Sequence, residues 1–155
     1  MPIPDFIVEL RRHVGSAELW LIGVTAVVLR GDEVLLVRRA DTGEWAPVTG
    51  IVDPREEPAA AARREVLEEA GVEVSVDRLA WVHVLPTTTH VNGDVATYLD
   101  HTFVCSYVGG QAHVADDESV EVGWRKVADL PPMSRSFRDR IACALAGDPA
   151  TRFTR

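Results

Sequence analysis

The sequence predicts an α/β chain of the α+β type, on three observations. Pro58 to Ala70 is built almost entirely of strong helix formers and is closed by Gly71. Two longer stretches, Trp20 to Leu29 and Val95 to Val108, are rich in Val, Leu, Ile, Thr and aromatic residues, as strands are. Helical spacing also appears near both ends, from Asp5 and after Ser134.

The length of 155 residues suits one domain, which would bury about 68–70% of its unfolded surface. That domain is read as 1–147, N-terminal helix included, with 148–155 as a loose tail. The net charge of −8 argues against a nucleic-acid polymer as partner, because phosphate backbones are gripped by clustered Lys and Arg. A small phosphorylated ligand stays open if cations mediate its binding. The longest apolar run, Trp20 to Leu29, is too short to span a bilayer, and no leader pattern opens the chain, so a cytoplasmic protein is expected. Cys105 and Cys143 stand far apart and outside any metal or redox spacing, and both are expected as buried, reduced thiols.

The elements follow in order. Phe6, Ile7, Leu10 and Val14 recur at helical spacing before Gly15, giving a short helix that packs on its own domain or exchanges within a homodimer. Trp20 to Leu29 and Glu33 to Arg38 read as a strand pair joined at Arg30-Gly31-Asp32. Asp41 to Trp45 is a polar loop. Val72 to Leu85 suggests strands with an irregular join near Asp77-Arg78, and Asn92-Gly93 is a tight-turn pair before the long run from Val95. In that run Leu99, His101, Phe103, Cys105 and Tyr107 share one face, while Tyr98, Asp100 and Thr102 share the other. One face enters the core and the other borders a cleft. His83 and His101 read as ordinary strand residues. Ser119 to Lys126 alternates as a strand, and Ser134 caps a last helix through Leu145.

The central helix poses a chemical question. Glu65, Glu68 and Glu69 lie three and four residues apart, which puts their carboxylates on one face, with Ala59, Ala62 and Val66 opposite. Such a run ordinarily marks a solvated acidic face. The sharper reading is that hard divalent cations sit between the carboxylates, since Mg²⁺ binds through a few carboxylates plus substrate phosphates.

From Gly50 to Val72 the chain resembles the Nudix hydrolases, whose box is G-x5-E-x7-R-E-U-x-E-E-x-G-U with U bulky and aliphatic. Gly50, Glu56, Arg64, Glu65, Val66, Glu68, Glu69, Gly71 and Val72 fill every fixed place. The resemblance implies a mixed β-sheet sandwiched between α-helices, and metal-dependent hydrolysis of a nucleoside diphosphate linked to a group X. It implies Mg²⁺, with Mn²⁺ as a substitute. Glu65, Glu68 and Glu69 become metal ligands, joined by Gly50 through its carbonyl and by Glu56 through water, unless Gly50 only turns the chain and Glu56 only braces the loop–helix junction.

By the same resemblance Arg64 orients a box glutamate, and either Glu69 or Glu118 deprotonates water. Glu118 is the further acid expected before Trp124, with Glu121 in reserve. Trp45, Thr49, Tyr98 and Asn92 are candidate substrate contacts. One departure stands out: Pro47-Val48-Thr49 replaces the family's Leu-Pro-Gly lead-in, so Thr49 would be strained if its place demanded a positive φ. That departure is the ground for an alternative, a Nudix-like domain that binds a nucleotide without turnover.

Overall fold

The computed structural model describes residues 3–155; Met1 and Pro2, the first residues of the expected domain, lie outside it. In chain order the elements are α1 (Asp5–Val14), β1 (Leu19–Arg30), β2 (Glu33–Arg39), β3 (Trp45–Ala46), β4 (Val48–Ile51), α2 (Pro58–Ala70), β5 (Val72–Val84), β6 (Thr88–Thr89), β7 (Val95–Gly110), β8 (Ser119–Lys126) and α3 (Arg135–Leu145). The strands form one mixed sheet with a spine of β3-β2-β1-β7-β5, to which β4 adds on β1, β6 on β7 and β8 on β2. β1 and β7 run parallel from Leu19↔Ala96 to Leu29↔Ser106, and the other pairs are antiparallel.

Alternation along β1 assigns the two faces. Val24, Ala26 and Val28 point to α2, where they meet Ala61, Ala62, Val66 and Ala70 together with Phe103 and Cys105 of β7. The alanines let α2 lie close to the sheet, and each fully buried Val contributes about 1.5–3 kcal/mol. Val27 turns the other way and joins Val34, Leu36, Ile141 and Ala144 beneath α3. Further along that second face, Ile7 of α1 packs on Leu21 and Ala96, with Phe6 and Tyr98 alongside. The sheet is thus sandwiched between α2 on one side and α1 with α3 on the other.

Local chemistry explains the ends of these helices. Pro58 occupies the first turn of α2, and Gly71 closes it in the left-handed region at φ 66°. The Ser134 hydroxyl accepts from the Phe137 amide at the start of α3. α1 packs on its own sheet.

Several expectations are corrected. The stretch from Val72 is one strand, not two, and its irregular join is a register slip between Val76 and Arg78, where the Asp77 carboxylate accepts from the Ser75 and Ser106 hydroxyls. The last residues are not loose. Arg152 pairs with β5 through Val82 N to Arg152 O at 3.0 Å and Arg152 N to Ala80 O at 2.8 Å, and its guanidinium lies 4.2 Å over the Trp81 ring. Thr49 is unstrained: it sits in β4 opposite Thr25, and Arg55 is the only described non-glycine residue with positive φ. Among the described residues no helix is long and apolar enough to cross a membrane.

Candidate active site

The box helix does not carry its glutamates on a solvated face. Glu65 is 1% exposed and Glu69 4%, both buried between α2 and the sheet, while the Glu68 side chain is 40% exposed. The packing face of α2 therefore includes two carboxylates beside its alanines. Helical spacing identifies neighbours on a helix, but not which arc of it the sheet covers.

Room for Glu65 comes from β4. A Cβ on Gly50 would lie 2.2 Å from both Cγ and Cδ of Glu65, so only glycine lets the strand pass beside that carboxylate. Gly50 has no positive φ and makes no tight turn; its role is close approach.

Arg64 binds this corner together. Its Nε and one Nη donate to the two oxygens of Glu56 at 2.8 and 2.9 Å, and that same Nη donates to the Ile51 carbonyl at 3.1 Å. The other Nη donates to Glu65 at 2.8 Å and to Glu68 at 3.3 Å. Such forked, charge-assisted bonds fix orientation. Glu56 also accepts from the Asp53 amide at 3.0 Å, and the Arg64 guanidinium holds its carboxyl below the usual range. Of the two readings open for Glu56, this geometry favours the brace between loop and helix.

The fifth acid arrives on the loop before β8. Two amides of that loop donate to the carboxyl end of α2, His113 to Ala70 O at 3.1 Å and Ala115 to Glu69 O at 3.2 Å. They satisfy orphan helix carbonyls and bring Asp116 and Glu118 toward Glu69. Burial, and then the charges of Glu118, Glu65 and Asp116, push the Glu69 carboxyl up to about 9, against the pull of Arg39. Burial raises Glu65 to about 7, opposed by Arg64. The reserve candidate Glu121 faces away, bonded to Arg125 at 2.8 Å.

Glu65 Oε2 is buried without a hydrogen-bond partner. An orphaned buried carboxylate oxygen beside further acids suits a hard divalent cation, which takes oxygen ligands and retains water. Among the described residues no three or more His, Cys, Asp or Glu side chains are already gathered closely enough to hold a metal ion.

Beside them, on the α1 and α3 face of the sheet, opens a cleft of about 840 Å³. The candidate substrate contacts Thr49, Tyr98 and Asn92 line it, together with Gly50 and Glu118. Trp45 does not: it packs toward α3 with Arg125 stacked 4.5 Å over its ring. Arg39, which sequence reading passed over, also lines the cleft and is bonded through Nε and Nη2 to Asp41 at 2.9 and 2.8 Å. Asp100 and Arg140 were missed as a pair. Thr25 and Thr102 donate to Asp100 at 2.8 and 2.7 Å, and Arg140 donates to Thr25 at 2.7 Å in the cleft floor. A lone acid within a long β-rich run was the available signal.

Comparison with known proteins agrees with this geometry. A family model described as the NUDIX domain matches residues 20–145. A MutT-like protein of Streptomyces ambofaciens is 36% identical over 134 residues, covering 85% of this chain and 81% of that protein. An NAD-capped RNA hydrolase of Pseudomonas putida is 33% identical over 113 residues, which cover 69% of this chain and only 37% of that hydrolase. Among solved structures, a Nudix hydrolase from Nitrosomonas europaea matches with a TM-score of 0.68 at 24% identity, covering 85% of this chain and 76% of that one. An ADP-ribose pyrophosphatase of Streptococcus suis matches with a TM-score of 0.66 at 23% identity, covering 85% and 96%. These last two show a shared fold. With the family model spanning most of its length and the complete box folded around buried carboxylates, this chain belongs to the Nudix family of hydrolases.

Proposed function

We propose that this protein hydrolyses a nucleoside diphosphate linked to a second group X, with Mg²⁺ held by Glu65, Glu68, Glu69 and Glu118. The observation that carries the reading is the buried pair Glu65 and Glu69, one oxygen of which has no partner, set against the acidic loop of Glu118. Carboxylates crowded out of water this way are costly unless cations share them. The names of relatives point the same way, since ADP-ribose and an NAD cap are both nucleoside diphosphates bearing a further group.

Divalent cations supply charge neutralisation of the diphosphate and a bound water acidic enough to ionise near neutral pH. The chain supplies position. Arg64 locks Glu56 and Glu65 into one orientation, and Gly50 lets β4 lie against them, so the acids are held before substrate arrives. Either Glu69 or Glu118 takes a proton from the attacking water. Arg39, paired with Asp41 and within the electrostatic reach of Glu69 and Glu118, is a cleft cation that an incoming phosphate would meet.

The reading of a nucleotide-binding domain without turnover rested on the altered Pro47-Val48-Thr49 lead-in and on fold not fixing function; of these, the strain that lead-in threatened is absent, since Thr49 lies in relaxed strand. The test is to incubate the protein with Mg²⁺ and a panel of nucleoside triphosphates, nucleotide sugars and dinucleotides, and to identify products by ³¹P NMR. Two monophosphates are expected from a linked diphosphate. Absence of product across the panel, with Glu68→Gln and Glu69→Gln indistinguishable from the parent, overturns the proposal.

A further inference from the structure

The family match begins at residue 20, so α1 lies wholly outside it. Yet one side of the cleft is made by this helix and its lead-in: Ile3, Pro4, Ile7 and Arg11 all line it. Ile7 is 4% exposed and packs on Leu21 and Ala96, while Ile3 stays half exposed at 50%.

One residue fastens the helix in place. Arg11 donates through one Nη to the Val95 carbonyl at 2.8 Å and through the other to the Gly15 carbonyl at 3.1 Å, and its Nε lies 3.5 Å from Asp94. A single guanidinium thus joins α1, the turn after α1, and the start of β7.

Beside this wall stand Tyr98 and the segment from Leu85 to Asn92. The Tyr98 ring packs within the apolar group beneath α1, and its hydroxyl meets His90 Nε2 at 3.0 Å. A Cβ on Gly23 would meet the Tyr98 side chain at 3.5 Å, in ordinary van der Waals contact, so the strand backbone lies directly beside that ring. Ile3, Ile7 and Tyr98 give the cleft an apolar and aromatic patch bordered by the Arg11–Asp94 pair, and Arg39, Asp41 and Glu118 line it as further charged groups.

We infer that α1 and Tyr98 form the compartment for the nucleobase, and that α1, held by Arg11, is the specificity-determining wall of the site. This rests on the nucleotide reading above and adds which part of the chain grips the ring. A planar heteroaromatic ring lies flat against such a surface, and its edge groups meet Asn92 and Thr88 at the rim. The phosphates then point toward Gly50 and the carboxylates. Arg11 is a positioning residue, acting through the helix.

The test measures binding and needs no turnover. Affinities of the four common ribonucleoside 5′-monophosphates and of ribose 5-phosphate are determined by calorimetry with excess Mg²⁺, for the parent, Arg11→Met, Arg11→Lys and Ile3→Ser. The best nucleotide should bind the parent about tenfold tighter than ribose 5-phosphate, the scale of one base stacked on an aromatic ring. Arg11→Met should erase that advantage without weakening ribose 5-phosphate, and Arg11→Lys should restore part of it. Ile3→Ser, at a half-exposed position that leaves the fold intact, should reduce it. The inference is overturned if the parent shows no advantage, if the advantage survives both Arg11→Met and Ile3→Ser, or if ribose 5-phosphate weakens in parallel. A protein that prefers nucleotides in this way but cleaves no anhydride overturns the reaction and leaves the compartment standing.

Discussion

The Glu65 carboxyl occupies the space where Gly50 would carry a side chain: a Cβ there would sit 2.2 Å from Glu65 Cγ. Strand β4 and helix α2 can approach only because one partner is glycine. Gly50→Ala must therefore push Glu65 or the strand aside. Overpacking of this kind costs about 1–3 kcal/mol. The displaced carboxylate should also lower Mg²⁺-dependent turnover by on the order of a hundredfold, the usual effect of a misplacement near 1 Å. Thermal melts and steady-state kinetics on the variant check both; unchanged kcat would show that Glu65 need not stand where Gly50 puts it.

Stability without metal should depend on pH in an unusual direction. Glu65 and Glu69 are raised to about 7 and about 9 from an ordinary 4.5, so the folded chain holds protons that the unfolded chain releases. Stability then falls as pH rises from about 4.5 toward 9, instead of rising as it does for salt-bridged acids. Melting in EDTA from pH 5 to 9 should show this decline, Mg²⁺ should reverse it at the alkaline end, and Glu69→Gln should flatten it. A metal-free melting temperature that climbs from pH 5 to 8 contradicts the burial argument.

Arg64 makes a prediction that separates orientation from charge. Its fork spans Glu56 and Glu65, and it is the group that opposes the upward shift of Glu65. Arg64→Lys keeps a cation but cannot make the paired bonds, so kcat should fall at least about tenfold while the fold survives. Arg64→Gln also removes the charge, so Glu65 should hold its proton to higher pH and the acid limb of the kcat/KM profile should move upward. A profile that shifts down, or does not move, rules out that coupling.

What was legible in the sequence follows from what is local. Pro58 and Gly71 fix both ends of α2 because first-turn proline and left-handed glycine act within a few residues, and Ser134 marks α3 for the same reason. The box residues could be named because their spacing is fixed along one helix and its approach strand. The burial of Glu65 and Glu69 could not be read, since it depends on which arc of α2 meets β1 and β4. Arg39, Asp100, Arg140 and α1 reach the cleft from four separate elements, and only the sheet order brings them together. Trp45 was misplaced because a two-residue strand can turn its side chain to either face.

The end of the chain supplies the last prediction. Arg152 covers one face of Trp81, whose other side is stacked on His83 at 3.6 Å, and the Thr151 hydroxyl donates to the Leu79 carbonyl at 2.9 Å. A stop after Gly147 removes these contacts and leaves the Ala80 carbonyl and Val82 amide of β5 without their partners from Arg152. Losing two backbone hydrogen bonds and a stacked cation should cost about 2 kcal/mol. Trp81 should also meet water, so tryptophan emission shifts to the red. Arg152→Ala retains the backbone pairing and should cost less than half as much while giving most of the spectral shift. Since Trp81, Thr151 and Arg152 line no part of the cleft, the truncated protein should melt earlier than the parent yet bind Mg²⁺ and nucleotide with parental affinity below its melting range.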